Sequence, residues 1–168
     1  IRGNTPDIHE WLLDVDSKLI RAESCARAAQ QLKQQGFKPD IICAHPGWGE
    51  ALLIKQIWEN TPLLSYQEFF YNPRGYDYGF DEREEQDEDW TTYGKIIFKQ
   101  ANPLIMLEAS DWNVTPTNFQ KNSYPENHRA KISVIHDGID TQKAKPVNTS
   151  NKVRINDQLS LSGRDKVI

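Results

Sequence analysis

The sequence is poor in sulfur. Its 168 residues include two cysteines, Cys25 and Cys43, and a single methionine, Met106. Two cysteines cannot build a disulfide framework, and these show neither CxxC nor Cys/His metal spacing. A basic excess is missing as well: Lys and Arg total 20 against 24 Asp and Glu, a net charge of −4. That argues against a general nucleic-acid binder, which carries a basic face. No apolar run approaches the roughly 20 residues that cross a bilayer. No signal-peptide pattern is visible, so a cytoplasmic protein is expected. There are no internal repeats. What is present suffices for one domain of roughly 100–200 residues: 38% of residues are hydrophobic and 26% charged, enough to bury a core. The chain opens on Ile1 and has no other methionine than Met106, so an excised piece with its native start upstream is expected.

Charge is uneven along the chain. Residues 1–120 hold 11 bases and 19 acids (−8), and residues 121–168 hold 9 and 5 (+4). Eight acids crowd into Asp77 to Asp89 against one base, Arg83. This run reads as a solvated loop and helix start. It lacks the alternation and glycine of a calcium loop.

Apolar periodicity alternates between strand and helix. Ala22, Ala26, Ala29 and Leu32 recur at helical spacing within a helix over Ser17 to Gln35, stopped by Gly36. Ile41 to Ala44 reads as a buried strand, Gly49 to Trp58 as a helix and Leu63 to Phe70 as a second strand. A helix is expected over Glu84 to Ala101, and Pro103 starts another. Strands over Trp112 to Thr115 and Ile132 to His136 bracket a short helix over Thr117 to Asn122. Asp140 to Gln158 reads as a polar linker. The fold class is therefore α/β, a Rossmann-like parallel sheet flanked by helices. Such sheets bind ligands beyond the carboxyl ends of their strands.

Four loops follow those ends. In Ala44 to Glu50, Gly47 and Gly49 would let a ligand approach the backbone, and the helix behind them offers free N–H groups. His45 could bond a hydroxyl or act as an acid or base; equally it could hold the turn, with Trp48 as packing. The glycines match neither GxGxxG nor a Walker loop. In the second loop Glu68 could be a general base or the partner of a nearby cation. Around Pro73-Arg74-Gly75 stand Phe69, Phe70, Tyr71, Tyr76, Tyr78 and Phe80. These rings could stack on sugars, with Arg74 holding phosphate or carboxylate, or form a satellite core. Thr115 to Asn118 looks like a helix cap. In the fourth loop Gly138 supplies a turn, and Asp137 and Asp140 bind a ligand or cap the chain's exit. There is no nucleophile elbow. The sequons at Asn113 and Asn148 read as chance.

Taken together, Pro39 to Glu50, Tyr66 to Tyr71, Val114 to Gln120 and Ile132 to Thr141 resemble the amino-terminal half of family 4 glycosyltransferases, retaining enzymes of the GT-B fold. The resemblance covers most of residues 36–141. It implies an amino-terminal Rossmann-like domain over 1–141 that mainly holds the acceptor. Residues 142–168 are then a linker and the start of a missing donor-binding domain, with Asp165 to Ile168 opening its first strand. It implies transfer of a sugar from a nucleotide-sugar donor to an acceptor hydroxyl, of hexosyltransferase type, with no cofactor and no metal; the fragment alone would be inactive. On this resemblance Glu68 and His45 are the catalytic candidates. His45, Gly47, Trp48, Gly49, Gln67, Tyr71 and Arg74 would bind a sugar or lipid-linked acceptor. Thr115, His136, Asp137, Gly138 and Asp140 would line the interdomain hinge. Peripheral membrane contact of the full-length protein, and a homodimer through the edge left by a missing first strand, are further expectations. Two departures stand out. Family members open with a strand and a Gly-rich loop, where Ile1 to Trp11 has only Gly3. Many also carry a His after the second strand, where this chain has Gln67-Glu68, so either Gln67 or Glu68 takes the polar role. The competing reading is a stand-alone ligand-binding α/β module without transfer chemistry.

Overall fold

The computed structural model describes residues 3–76, 78, 90–145, 152–162 and 165–166. The chain divides into two compact units, Ile1–His136 and Asp137–Ile168. The eight acids of the run Asp77 to Asp89, and Phe80, lie outside the described residues.

The first unit holds four parallel strands in sequential order: β1 (Ile42–Ala44), β2 (Leu63–Tyr66), β3 (Trp112–Thr115) and β4 (Ile132–Val134). Cys43 pairs with Leu64, Leu64 with Trp112 and Val114 with Ser133. One face presents Leu63, Ser65, Asn113, Thr115 and Ile132, all buried. The other presents Leu64, Tyr66, Val114 and Ser133, half-buried, with Cys43 and Trp112 exposed. Asn113 is fully buried, so its sequon is no glycosylation site.

The flanking helices are α1 (Leu13–Gln34), α2 (Ile54–Ile57), α3 (Trp90–Lys99), α4 (Ala101–Ala109) and α5 (Asn118–Ser123). Helix α1 carries Asp14 and Asp16 in its first turn, where the dipole favours acids. It closes with Phe37 N–H on the Leu32 carbonyl and Gly36 N–H on that of Lys33, the paired bonds of a Schellman end. Ala29, Ala51, Ile54, Leu63 and Met106 form the main core, which joins α1, α2, β2 and α4. A second cluster gathers Phe70, Leu107, Tyr124 and Ile132.

The expected boundaries shift for local reasons. The expected boundary between a helix ending at Ala101 and one starting at Pro103 falls at Gln100, between α3 and α4, and residues 84–89 of the first lie outside the described ones. Pro103, third in α4, has no N–H for the Lys99 carbonyl, so the α3 ladder cannot continue through it. The helix over Gly49 to Trp58 shrinks to one turn, because Leu52, Ile54 and Gln56 bond three residues back, to Gly49, Ala51 and Leu53. Strand β2 ends at Tyr66, although Gln67 N–H still reaches the Val114 carbonyl at 2.7 Å. Thr117 caps α5 as expected: its hydroxyl accepts the Gln120 N–H and donates to the Gln120 side chain.

The second unit holds an antiparallel pair, β5 (Val153–Arg154) and β6 (Ser160–Leu161). Asn156 shapes the turn between them by accepting the N–H groups of Gln158 and Leu159. Strand structure therefore replaces part of the expected linker. Asp165 sits in a bend closed by Ser162, and residues 167–168 lie outside the described ones.

Candidate active site

A cavity of about 290 Å³ opens at the carboxyl ends of β1 and β2. One wall comes from the loops after those strands: His45, Pro46, Gly47, Trp48, Gln67, Glu68, Phe69 and Tyr71. The other comes from helices: Asp14, Ser17, Lys18 and Arg21 on α1, Lys99 at the end of α3, and Asn102 and Pro103 on α4, with Tyr124 behind them.

The first wall is built around one histidine. Pro46–Trp48 forms a 3₁₀ turn, and the His45 side chain caps it by accepting the Gly47 N–H at Nδ1, 3.1 Å. With a lone pair on Nδ1, the ring proton of the neutral imidazole sits on Nε2. That nitrogen lies 3.1 Å from Glu68 Oε2, so His45 donates to the carboxylate. The ring stacks on Tyr66 at 5.8 Å. A Cβ at position 47 would come within 2.6 Å of the His45 ring. Only glycine lets the ring fold back over its own turn, and the space above Gly47 is filled by His45 itself.

Gly49 does similar work for the second wall. Its φ is 96°, and a Cβ there would meet the Lys18 backbone at 2.6 Å. Helix α1 therefore packs directly on the turn, which brings Lys18 and Arg21 to the cavity. From the other side the Asn102 side-chain amide donates to the Pro46 carbonyl. The turn is clamped between α1 and α4. Lys18 is 8% exposed and its ammonium sits 2.7 Å from Asp14.

Below Glu68 runs a buried polar chain. Gln67, fully buried, donates to Asn113 Oδ1 at 3.0 Å and accepts from the Tyr124 hydroxyl at 3.4 Å. Burial, and then the charge of Glu68, pushes the Tyr124 phenol far above its ordinary value. It stays protonated and acts here as a donor. Gln67 thus holds the loop rather than offering a free amide to the cavity. Asn102 is 3% exposed, and its Oδ1 finds no hydrogen-bond partner among the described residues.

His45, Gly47, Trp48, Gln67, Glu68 and Tyr71, expected at the site from the sequence, do converge on this one cavity. The rest do not. Gly49 sits behind the turn, under α1. Arg74 lies 4.2 Å over the Tyr93 ring, a cation–π contact, outside the cavity. Thr115 is buried at the end of β3 with its hydroxyl unpartnered among the described residues. His136 ends the first unit and is exposed. In the second unit Gly138 has a φ of 82°, and Asp140 accepts the N–H groups of Gln142 and Lys143, a turn cap. Several loop aromatics pack on one another, as a satellite cluster would: Phe69 and Tyr76 both meet Phe119, at 6.3 and 5.6 Å.

Sequence reasoning missed the helical wall, although its signal is present. Asp14, Ser17, Lys18 and Arg21 fall at one helical face, and Lys18 lies four residues before Ala22 on the apolar stripe already recognised. Among the described residues no group of three His, Cys, Asp or Glu is placed to hold a metal ion. Nor is any helix there long and apolar enough to cross a membrane.

A family model described as glycosyl transferase family 4 group matches residues 1–144. The match spans the four parallel strands and every residue that lines the cavity. No curated protein and no solved structure matches the chain. By sequence pattern and by fold, the chain belongs to the family 4 glycosyltransferases.

Proposed function

We propose that this domain holds the acceptor of a retaining, hexosyl-type transfer from a nucleotide sugar, with the donor bound mainly by a further domain. The observation that carries this is the His45–Glu68 pair on the cavity, at the carboxyl ends of two parallel strands. The cavity's volume supports it too. About 290 Å³ is at the lower limit of the roughly 300–1,000 Å³ typical of small-molecule pockets. It suits one sugar unit, not a whole nucleotide sugar.

In the reaction an acceptor hydroxyl forms a bond to the anomeric carbon while the bond to the donor's diphosphate breaks. Positive charge builds on the sugar ring, the diphosphate leaves with the bonding electron pair, and the hydroxyl proton passes to the Glu68 carboxylate. Glu68 is the group that touches the substrate. Its carboxylate, held by His45, accepts the hydrogen bond of the incoming hydroxyl and fixes its direction. His45 is a positioning residue: both of its ring nitrogens are committed, to Gly47 and to Glu68. Trp48 and Tyr71, 64% and 41% exposed, supply flat faces at the rim for a sugar ring. Correct placement of two reactants lowers a barrier by several kcal/mol, and that is the contribution assigned to this domain.

The test is transfer of labelled sugar from nucleotide-sugar donors by the intact protein, compared with Glu68→Gln. The variant should lose roughly 100-fold in kcat, the low end for a group handling a proton, with donor binding unchanged. Full activity in Glu68→Gln overturns the role of Glu68. Turnover by residues 1–168 alone overturns the separate donor domain.

A further inference from the structure

The charges on the cavity do not balance locally, and the surplus sits on one wall. Two carboxylates face three cationic side chains. Asp14 pairs with Lys18 at 2.7 Å, and Glu68 accepts the hydrogen bond of His45 at 3.1 Å, a contact that leaves the carboxylate's charge in place. Arg21 and Lys99 remain, and neither has a carboxylate partner among the described residues. Each is held on an aromatic face. The Arg21 guanidinium lies 5.9 Å from the Trp48 ring and donates to the Trp48 carbonyl at 3.4 Å. The Lys99 ammonium lies 5.6 Å from the Tyr71 ring. Such contacts orient a cation without neutralising it. Both side chains line the same small cavity as Glu68, so one ligand of sugar size reaches both walls.

We infer that the acceptor carries an anionic group, a phosphate or a carboxylate, bound by Arg21 and Lys99, while Glu68 holds the hydroxyl that is glycosylated. This rests on the acceptor-site reading above and adds the substrate's charge to it. Arg21 offers a planar fork that fits either anion, and Lys99 a point charge. A neutral sugar would leave both cations unanswered. An anionic one answers them and keeps its own negative charge away from Glu68. The rings of Trp48 and Tyr71 would then flank the sugar, with the charged ends of Arg21 and Lys99 at the anion.

Calorimetric titration of the chain with glucose, glucose 6-phosphate, glucuronate, inorganic phosphate and uridine diphosphate tests this. Either glucose 6-phosphate or glucuronate should bind at least tenfold tighter than glucose, and the tighter of the two names the anion. Arg21→Gln and Lys99→Gln should each weaken that binding about tenfold, the lower value for one charge-assisted hydrogen bond, and leave glucose binding unchanged. Lys95→Gln removes the same charge from a residue paired with Glu10, away from the cavity, and should change nothing. Lys99 is exposed, so its variant folds even where Arg21→Gln does not. Equal binding of glucose and both anionic sugars overturns the inference but leaves the acceptor site standing. Uridine diphosphate binding tighter than the anionic sugars, with the same loss in the two variants, assigns the cations to the donor and overturns it. Inorganic phosphate binding as tightly as glucose 6-phosphate overturns it too, because the sugar would then contribute nothing. Absence of binding by every sugar, with Glu68→Gln active in transfer, sinks the acceptor reading itself.

Discussion

The two walls of the cavity come from different kinds of structure. The strand-end wall is local: His45, Gly47 and Trp48 lie within four consecutive residues, and a single imidazole fixes the turn and aims Glu68. The helical wall is assembled from afar. Arg21 and Lys99 are separated by 78 positions and stand on different helices: Arg21 on α1, which packs on the Pro46–Trp48 turn, and Lys99 at the end of α3. The local wall carries Glu68; the assembled wall carries Arg21 and Lys99, which have no carboxylate partner among the described residues. The proposed function makes reaction direction and substrate choice separable: a change on α1 should alter what is held without moving Glu68.

The largest expected effect comes from separating the walls. Gly49→Ala forces a side chain into a φ of 96° and against the Lys18 backbone. Left-handed strain of about 1–2 kcal/mol adds to about 1–3 for overpacking, so urea denaturation should show a loss of about 3 kcal/mol. Gly36→Ala is the control. Its φ is 89° with nothing within 4 Å of a Cβ, so it bears the strain alone, about 1 kcal/mol. Equal losses in both would mean that α1 does not bear on the turn. Next in size are the kinetic effects. Glu68→Gln should lower kcat about 100-fold with KM little changed. Arg21→Gln should raise the acceptor KM about tenfold with kcat little changed. A drop in kcat from Arg21→Gln would show that the walls do not divide the work.

The sequence disclosed these walls unequally, for a physical reason. A buried strand declares itself as a short apolar run, and whatever follows it stands at the sheet's end. Ile41 to Ala44 thereby located His45, and the strand from Leu63 located Glu68. A helical residue has no such marker. Nothing in the spacing of Lys18 and Arg21 points to a cavity; that follows only from Gly49 lying against α1, a contact that depends on a backbone angle no periodicity reports. Lys99 had no marker either: it ends a helix, not a strand, and nothing in the spacing places that end at the cavity. Arg74 failed the other way. It stands beside a sheet end in sequence, yet its chain folds onto Tyr93. The short pair β5–β6 was illegible because its two-residue strands are too brief to alternate.

A smaller effect sharpens the local wall. Asp111 anchors the start of β2: its carboxylate accepts the Leu63 N–H at 2.8 Å and the Lys55 ammonium at 2.9 Å. The Lys55 and Leu63 hydrogen bonds hold its pKa below the ordinary carboxylate value. A carboxyl with a lowered folded pKa stabilises the fold above its unfolded pKa of about 3.9, and that stability is lost as pH falls through the folded value. Asp111→Asn should therefore cost about 1 kcal/mol at pH 7, a value reduced for its exposure. Below pH 4 the gap between wild type and variant should close. A gap that persists at pH 2 would show that packing, not the charge, sets it.

The smallest effect compares the two elements through their cysteines. Cys25 lies on α1, half-buried; burial first, and then the charge of Glu50, raises its thiol pKa. Cys43 lies on β1, exposed. Because the thiolate is the reactive form, thiol titration at pH 8 should show one fast and one slow phase of equal amplitude. Cys43→Ser should remove the fast phase and leave the slow one intact. Gly49→Ala, by loosening α1 from the turn, should speed the slow phase alone. Two phases that accelerate together in that variant would mean that helix and sheet open as one unit, and the independence of the two walls would then fail at its base.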